Sequence, residues 1–115
     1  MLKEFYRSSG ARFLNKGAVL QELRGLAERA RRREPDILKI VLFGSLANNT
    51  YTPRSDADVL VLLQSSEARF IDRISRFLPL FIEASLPVEV FPYTEQESRT
   101  VPLARRALRE GMILA

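Results

Sequence analysis

The sequence predicts an α/β (α+β) fold, a small mixed β-sheet flanked by helices, and three observations point to it. Short apolar runs rich in β-branched residues recur as Ile37–Phe43, Ala57–Leu63 and residues 88–91, each the length of a strand. The segments around them carry apolar residues at three- and four-residue spacing instead. Finally, polar groups gather at opposite chain ends of the first two runs. Gly44-Ser45 leave the end of the first, whereas Asp56 and Asp58 open the second. They share one edge of the sheet only if those two strands are antiparallel, which predicts a mixed sheet rather than a doubly wound parallel one.

The elements follow in order. No assignment is made for the first fifteen residues. Val19, Leu20, Leu23, Leu26, Ala27 and Ala30 mark an amphipathic helix over about 18–34, ended by Pro35. The run Ile37–Phe43 is a buried strand, and the polar stretch 46–54 is a loop whose first turn is helical with Ser45 as its N-cap. Ala57–Leu63 is the second strand. Ser66 is the expected cap of a helix whose apolar positions are Phe70, Ile71, Ile74, Leu78, Phe81 and Ile82, bent or divided at Pro79. A third strand covers 88–91, and Thr94-Glu95-Gln96-Glu97 has the form of a capping box. Pro102 opens a last helix that runs to Glu110 and stops at Gly111, and residues 112–114 form a short final strand.

Composition bounds the chemistry. The chain has 115 residues, with neither Cys nor His. Thiolate or imidazole catalysis, Cys/His zinc sites and disulfides are excluded within it, leaving carboxylates, hydroxyls, arginines and backbone groups. The length fits one domain, 1–115, divided into a basic N-terminal helical region (1–35) and a core (36–115). Residues 1–35 hold nine Lys or Arg against four Glu, and the remaining residues hold nine basic against ten acidic. Arg24, Arg29 and the run Arg31, Arg32, Arg33 could touch phosphates of a nucleic acid, but no aromatic residues interleave them for base stacking. The simpler reading is a solvated helix end whose charge complements the macrodipole. With no leader pattern or membrane-length apolar stretch, a cytoplasmic location and no membrane partner are the expectation.

Asp56 and Asp58, two apart at a strand start, project from the same face, which continues as Leu60 and Leu62. Like charges beside apolar surface repel each other and lose hydration, a cost that a divalent cation would remove. Oxygen-only ligands point to Mg²⁺ or Mn²⁺. Glu89, between Val88 and Val90, is an acid in an expected interior strand; if that strand lies beside the second, three carboxylates form a cluster suited to two-metal phosphoryl or nucleotidyl transfer. Gly44 lets backbone approach a phosphate, and Ser45 offers a hydroxyl and N–H groups to it. Singly, each has an ordinary structural reading: a turn, a strand start, a water-facing edge acid. Their joint order and spacing carry the argument.

The segment Leu42-Phe43-Gly44-Ser45, followed after ten residues by Asp56-Ala57-Asp58-Val59-Leu60, resembles the signature of the DNA polymerase β-type nucleotidyltransferase superfamily, in its minimal form. Pro87-Val88-Glu89-Val90 stands in the place of the family's third acidic strand. The resemblance implies the polymerase β-type core, with 36–115 as the catalytic part. It further implies that Gly44, Ser45 and Ser55 bind the nucleotide and that Asp56 and Asp58 ligate Mg²⁺. Glu89 would be a third metal ligand or the base that assists the attacking hydroxyl. Two departures stand out: Leu46 where Arg is common, and Asn49 where Gly is common, although Asn tolerates the left-handed conformation.

The implied reaction moves a nucleoside monophosphate, AMP from ATP being the leading case, to an acceptor hydroxyl, with pyrophosphate leaving. So small a domain has little surface to enclose an acceptor. The resemblance suggests a helical partner of the HEPN class in a toxin–antitoxin pair, with a partner tyrosine as acceptor; self-association into a homo-oligomer is the other way to complete the site. The alternative function is a non-catalytic module that binds a nucleotide or a partner.

Overall fold

The computed structural model describes residues 15–52 and 54–115. The beginning of the basic N-terminal region therefore lies outside the described residues. Helix α1 (Lys16–Arg33) starts two residues before the apolar periodicity does, because the Asn15 side chain accepts the Ala18 N–H at 3.1 Å and caps it. Val19, Leu23, Leu26, Ala27 and Ala30 are buried, while Arg31, Arg32 and Arg33 occupy the last turn, exposed. The basic helix is thus part of the core and not an appendage to it.

Strands β1 (Ile37–Phe43) and β2 (Ala57–Leu63) have the predicted bounds and pair antiparallel, as the placement of polar groups requires. Strand β3 (Val88–Thr94) is longer than expected and runs parallel to β2. It continues through Pro92, which is tolerated because the sheet order is β3-β2-β1-β4 and β3 is an edge strand. The expected interior position of Glu89's strand is therefore corrected. The short β4 (Met112–Ile113) closes the other edge, antiparallel to β1.

Between β1 and β2 lies one helical turn, α2 (Ser45–Asn48), whose N-cap is Gly44 and not Ser45. Gly44 has φ +79°, a conformation that strains any side chain, and so takes the cap position. Helix α3 (Phe70–Phe77) begins four residues after Ser66, whose hydroxyl instead accepts the Ala68 N–H within a local turn. Pro79 divides the segment, and the chain continues as a 3₁₀ turn, Leu78–Phe81. The buried face carries Arg73, Phe77 and Phe81, so Ile71 and Ile82, expected to pack, are instead 59% and 75% exposed.

The capping box forms at α4 (Glu95–Ser98), with reciprocal bonds between Thr94 and Glu97. Helix α5 (Pro102–Glu110) has Pro102 in its first turn and ends at Gly111. Gly111 serves close approach and not an unusual turn, since its φ is −81° and a Cβ there would lie 2.5 Å from both the Ala107 carbonyl oxygen and Val41 Cγ1.

The two faces of the sheet are unequally covered. On one, α1, α3 and the 3₁₀ turn bury Ile40, Leu42, Val59, Val61, Leu63 and Val90 in the main core. On the other, Ala104 and Ala107 of α5 cover Val41 and Leu60, with Phe43 and Phe91 beside them. That second face is roofed by one short helix, and its uncovered end carries the acidic residues.

Candidate active site

Sheet register builds the site. Phe43 pairs with Asp58, and Asp58 with Glu89. Directly paired residues share a face, so Phe43, Asp58 and Glu89 form one row across the end of the α5-covered face. The next row is Val41, Leu60 and Phe91, and Phe43 meets Phe91 edge-on at 5.2 Å between ring centroids. The acidic row therefore borders an apolar one, and the boundary has electrostatic consequences.

Asp58 is half-buried, whereas Asp56 and Glu89 are exposed. Burial pushes the Asp58 carboxyl above its ordinary value, and the charges of Glu89 and Asp56 push it the same way. Glu89 and Asp56 are thus both near enough to act on Asp58. Asp58 and Glu89 stand side by side in that row, with Asp56 just before β2, and among the described residues no three acidic side chains converge as ready metal ligands. The expected neighbourhood of Glu89 and Asp58 is present through the β2–β3 pairing, with Glu89 exposed on the edge strand.

Gly44 meets the acidic row from the side. A Cβ at this position would stand 2.4 Å from Asp58 Oδ2, so only glycine lets the β1–α2 turn and the carboxylate come together. Ser45 follows as the first residue of α2, where backbone N–H groups have no partner within the helix. Leu46 is fully buried in the main core, so its position contributes packing. Asn49 adopts φ 59°, ψ 26°, the left-handed conformation expected of it.

Ser55 precedes the acidic pair and is engaged within its own turn. Its hydroxyl accepts the Thr52 N–H at 2.8 Å, and its own N–H returns to the Thr52 carbonyl. It thereby shapes the turn that delivers Asp56. Glu22 of α1 does similar work before β3: its carboxylate accepts both the N–H and hydroxyl of Ser85, at 2.9 and 2.8 Å, and anchors the chain entering the Glu89 strand. Neither contact follows from spacing.

A cleft of about 400 Å³ opens beside Gly44, between the β1–α2 turn and α5, lined by Phe43, Gly44, Asn48, Leu103, Arg106, Ala107 and Glu110. Sequence reasoning missed Arg106 and Glu110. The only available signal was their place on the polar face of an amphipathic helix, which does not say which polar residue overlooks a cleft.

Comparison with known proteins bears on this arrangement. A family model described as nucleotidyltransferase domain matches residues 23–114. Among solved structures, the fold is similar to that of a candidate nucleotidyltransferase from Sulfolobus solfataricus (TM-score 0.66, 19% identity, covering 85% of this chain and 80% of that one). It is also similar to a chain from a toxin–antitoxin structure with AMP-PNP (TM-score 0.61, 22% identity, covering 80% of this chain and 72% of that one). Among curated proteins, no sequence match is found.

Proposed function

Because the chain belongs to the nucleotidyltransferase domain family, whose model spans residues 23–114, we propose that it moves a nucleoside monophosphate from a triphosphate, with ATP as the expected donor, to an acceptor hydroxyl. The observation that supports this reading is the close meeting of Gly44 with Asp58, where a Cβ would stand 2.4 Å from Oδ2, so that a glycine turn open to a phosphate lies directly against a carboxylate. A carboxylate held at raised pKa by burial and two like charges fits a divalent cation, since the cation would offset all three effects.

Asp56 and Asp58 are the residues that would hold Mg²⁺ or Mn²⁺, with Glu89 beside them. Oxygen donors without His or Cys suit those ions. Bound there, the ion supplies charge neutralisation on the triphosphate and acidifies the acceptor hydroxyl. Gly44 gives the phosphates close access to backbone, and Ser45 supplies a hydroxyl donor to them. The acceptor oxygen forms a bond to the α-phosphorus, the bond to pyrophosphate breaks, and the hydroxyl proton passes to the exposed carboxylate of Glu89. Exposure suits this role, because the acceptor must arrive from solvent.

The fold likeness to a chain from a toxin–antitoxin structure supports a partner protein as the source of the acceptor. In that reading the hydroxyl is a tyrosine of a helical, HEPN-type toxin and the chain is its antitoxin. One observation favours a second reading: Glu89 is exposed and the acids do not converge, which suits a module that binds nucleotide or partner without transfer. The test is to incubate the protein with Mg²⁺ and α-phosphate-labelled ATP in lysate of its source cells, beside the Asp56→Asn, Asp58→Asn double variant. Transfer puts label on an acceptor only with the native acids. ATP binding with no acid-dependent label selects the second reading.

A further inference from the structure

A triphosphate is strongly anionic, and the acidic row adds negative charge beside it. The β1–α2 turn brings no cation, since Ser45 is neutral and Leu46 points into the core. Lys16 lies at the other end of α2, bonded to the Asn49 side-chain carbonyl and 5.8 Å from the Tyr51 ring centroid. The cleft beside Gly44 does contain a cation. Arg106 is the one basic residue among those lining it. The cleft lies on the α5-covered side of the sheet, the side to which Asp58 belongs through its pairing with Phe43.

Arg106 is also free to change partner. Its Nε stands 3.5 Å from Glu110 Oε1, a long contact between side chains 75% and 49% exposed. Such a pair is worth little in water, and Glu110 is shared with Arg109, 3.4 Å away. A guanidinium offered a phosphate can make two parallel charge-assisted bonds, a better arrangement than the one it leaves.

We propose that the cleft between α5 and the β1–α2 turn receives the distal phosphates of the donor, with Arg106 as the cation that binds them and Glu110 as its resting partner. This rests on the nucleotidyltransferase reading of the site and adds to it a phosphate-binding residue from the last helix.

The test is calorimetric titration of ATP, AMP and adenosine, each with Mg²⁺, into the native protein and into Arg106→Ala, Arg106→Lys and Glu110→Gln, with tripolyphosphate as competitor. Circular dichroism and melting curves verify that each variant is folded. Arg106→Ala is expected to weaken ATP about tenfold or more, the usual size for a lost charged hydrogen bond, while AMP and adenosine change less than twofold. Arg106→Lys should recover part of the loss. Glu110→Gln should bind ATP and tripolyphosphate at least as tightly as the native chain. If the native protein binds ATP and Arg106→Ala binds it equally well, or loses adenosine in equal measure, the proposal is overturned and the nucleotidyltransferase reading stands. If the native protein binds no nucleotide, both fall.

Discussion

Burial, Glu89 and Asp56 all favour the protonated form of Asp58. A carboxyl whose folded pKa is raised above the unfolded 3.8 binds its proton more tightly when folded. The destabilisation is therefore fully present above the folded value, fades as pH falls from there towards 3.8, and is gone below 3.8. Asp58→Asn should accordingly raise the melting temperature of metal-free protein at neutral pH, while reducing transfer by at least about a hundredfold, the scale of losing one charge-stabilising group. Added Mg²⁺ should stabilise the native chain and leave the variant's melting temperature nearly unchanged. Much at this scale was readable in the sequence. The Asp-x-Asp pair and the left-handed Asn49 follow from residue type and spacing. The hydrogen bonds of Ser55 and the edge position of Glu89's strand did not, since turn closure and sheet order are decided by the packed neighbours.

The elements were legible where one periodicity dominated. Strands β1 and β2 have the bounds their apolar runs suggest, and the capping box at α4 needs only Thr94 and Glu97. The segment from Ser66 to Ile82 was harder, because Pro79 breaks the helical phase and the 3₁₀ turn that follows rotates Phe81 inward and leaves Ile82 outside. The α5–β1 contact depends on a glycine whose purpose is invisible in sequence. In Gly111→Ala, the new Cβ would meet Ala107 and Leu42 carbonyl oxygens at 2.5 and 2.8 Å, and backbone cannot move aside as a flexible side chain does. We expect a loss of about 1–3 kcal/mol, typical of overpacking, measured by urea unfolding. A shift of α5 off the sheet would also widen the cleft that holds Arg106.

Across the molecule, Arg73 ties three elements together. Its guanidinium donates to the Ala68 and Pro92 carbonyls and pairs with Glu97 at 2.7 Å, joining α3, β3 and α4. The Arg73 hydrogen bonds hold the Glu97 carboxyl below its ordinary 4.5. A depressed carboxylate pKa stabilises the fold above the unfolded value, and that contribution is lost as pH falls through the folded one. Glu97→Gln keeps an acceptor for the capping box and removes the charge. It should melt below the native protein at pH 7, and the difference should close as pH drops below 4.5, measured by melting temperature across pH. No motif announces this junction, because Pro92 and Glu97 lie 19 and 24 residues from Arg73 and meet it only once the sheet order is set. Pro92 has a further consequence. An open sheet ordinarily invites another chain to add a strand along its rim. At Pro92 an incoming strand would find no N–H to accept and a carbonyl already engaged by Arg73, while the opposite rim, β4, spans only two residues. Among the described residues both rims resist templating, so a partner chain has little strand edge to extend and would dock on side chains instead.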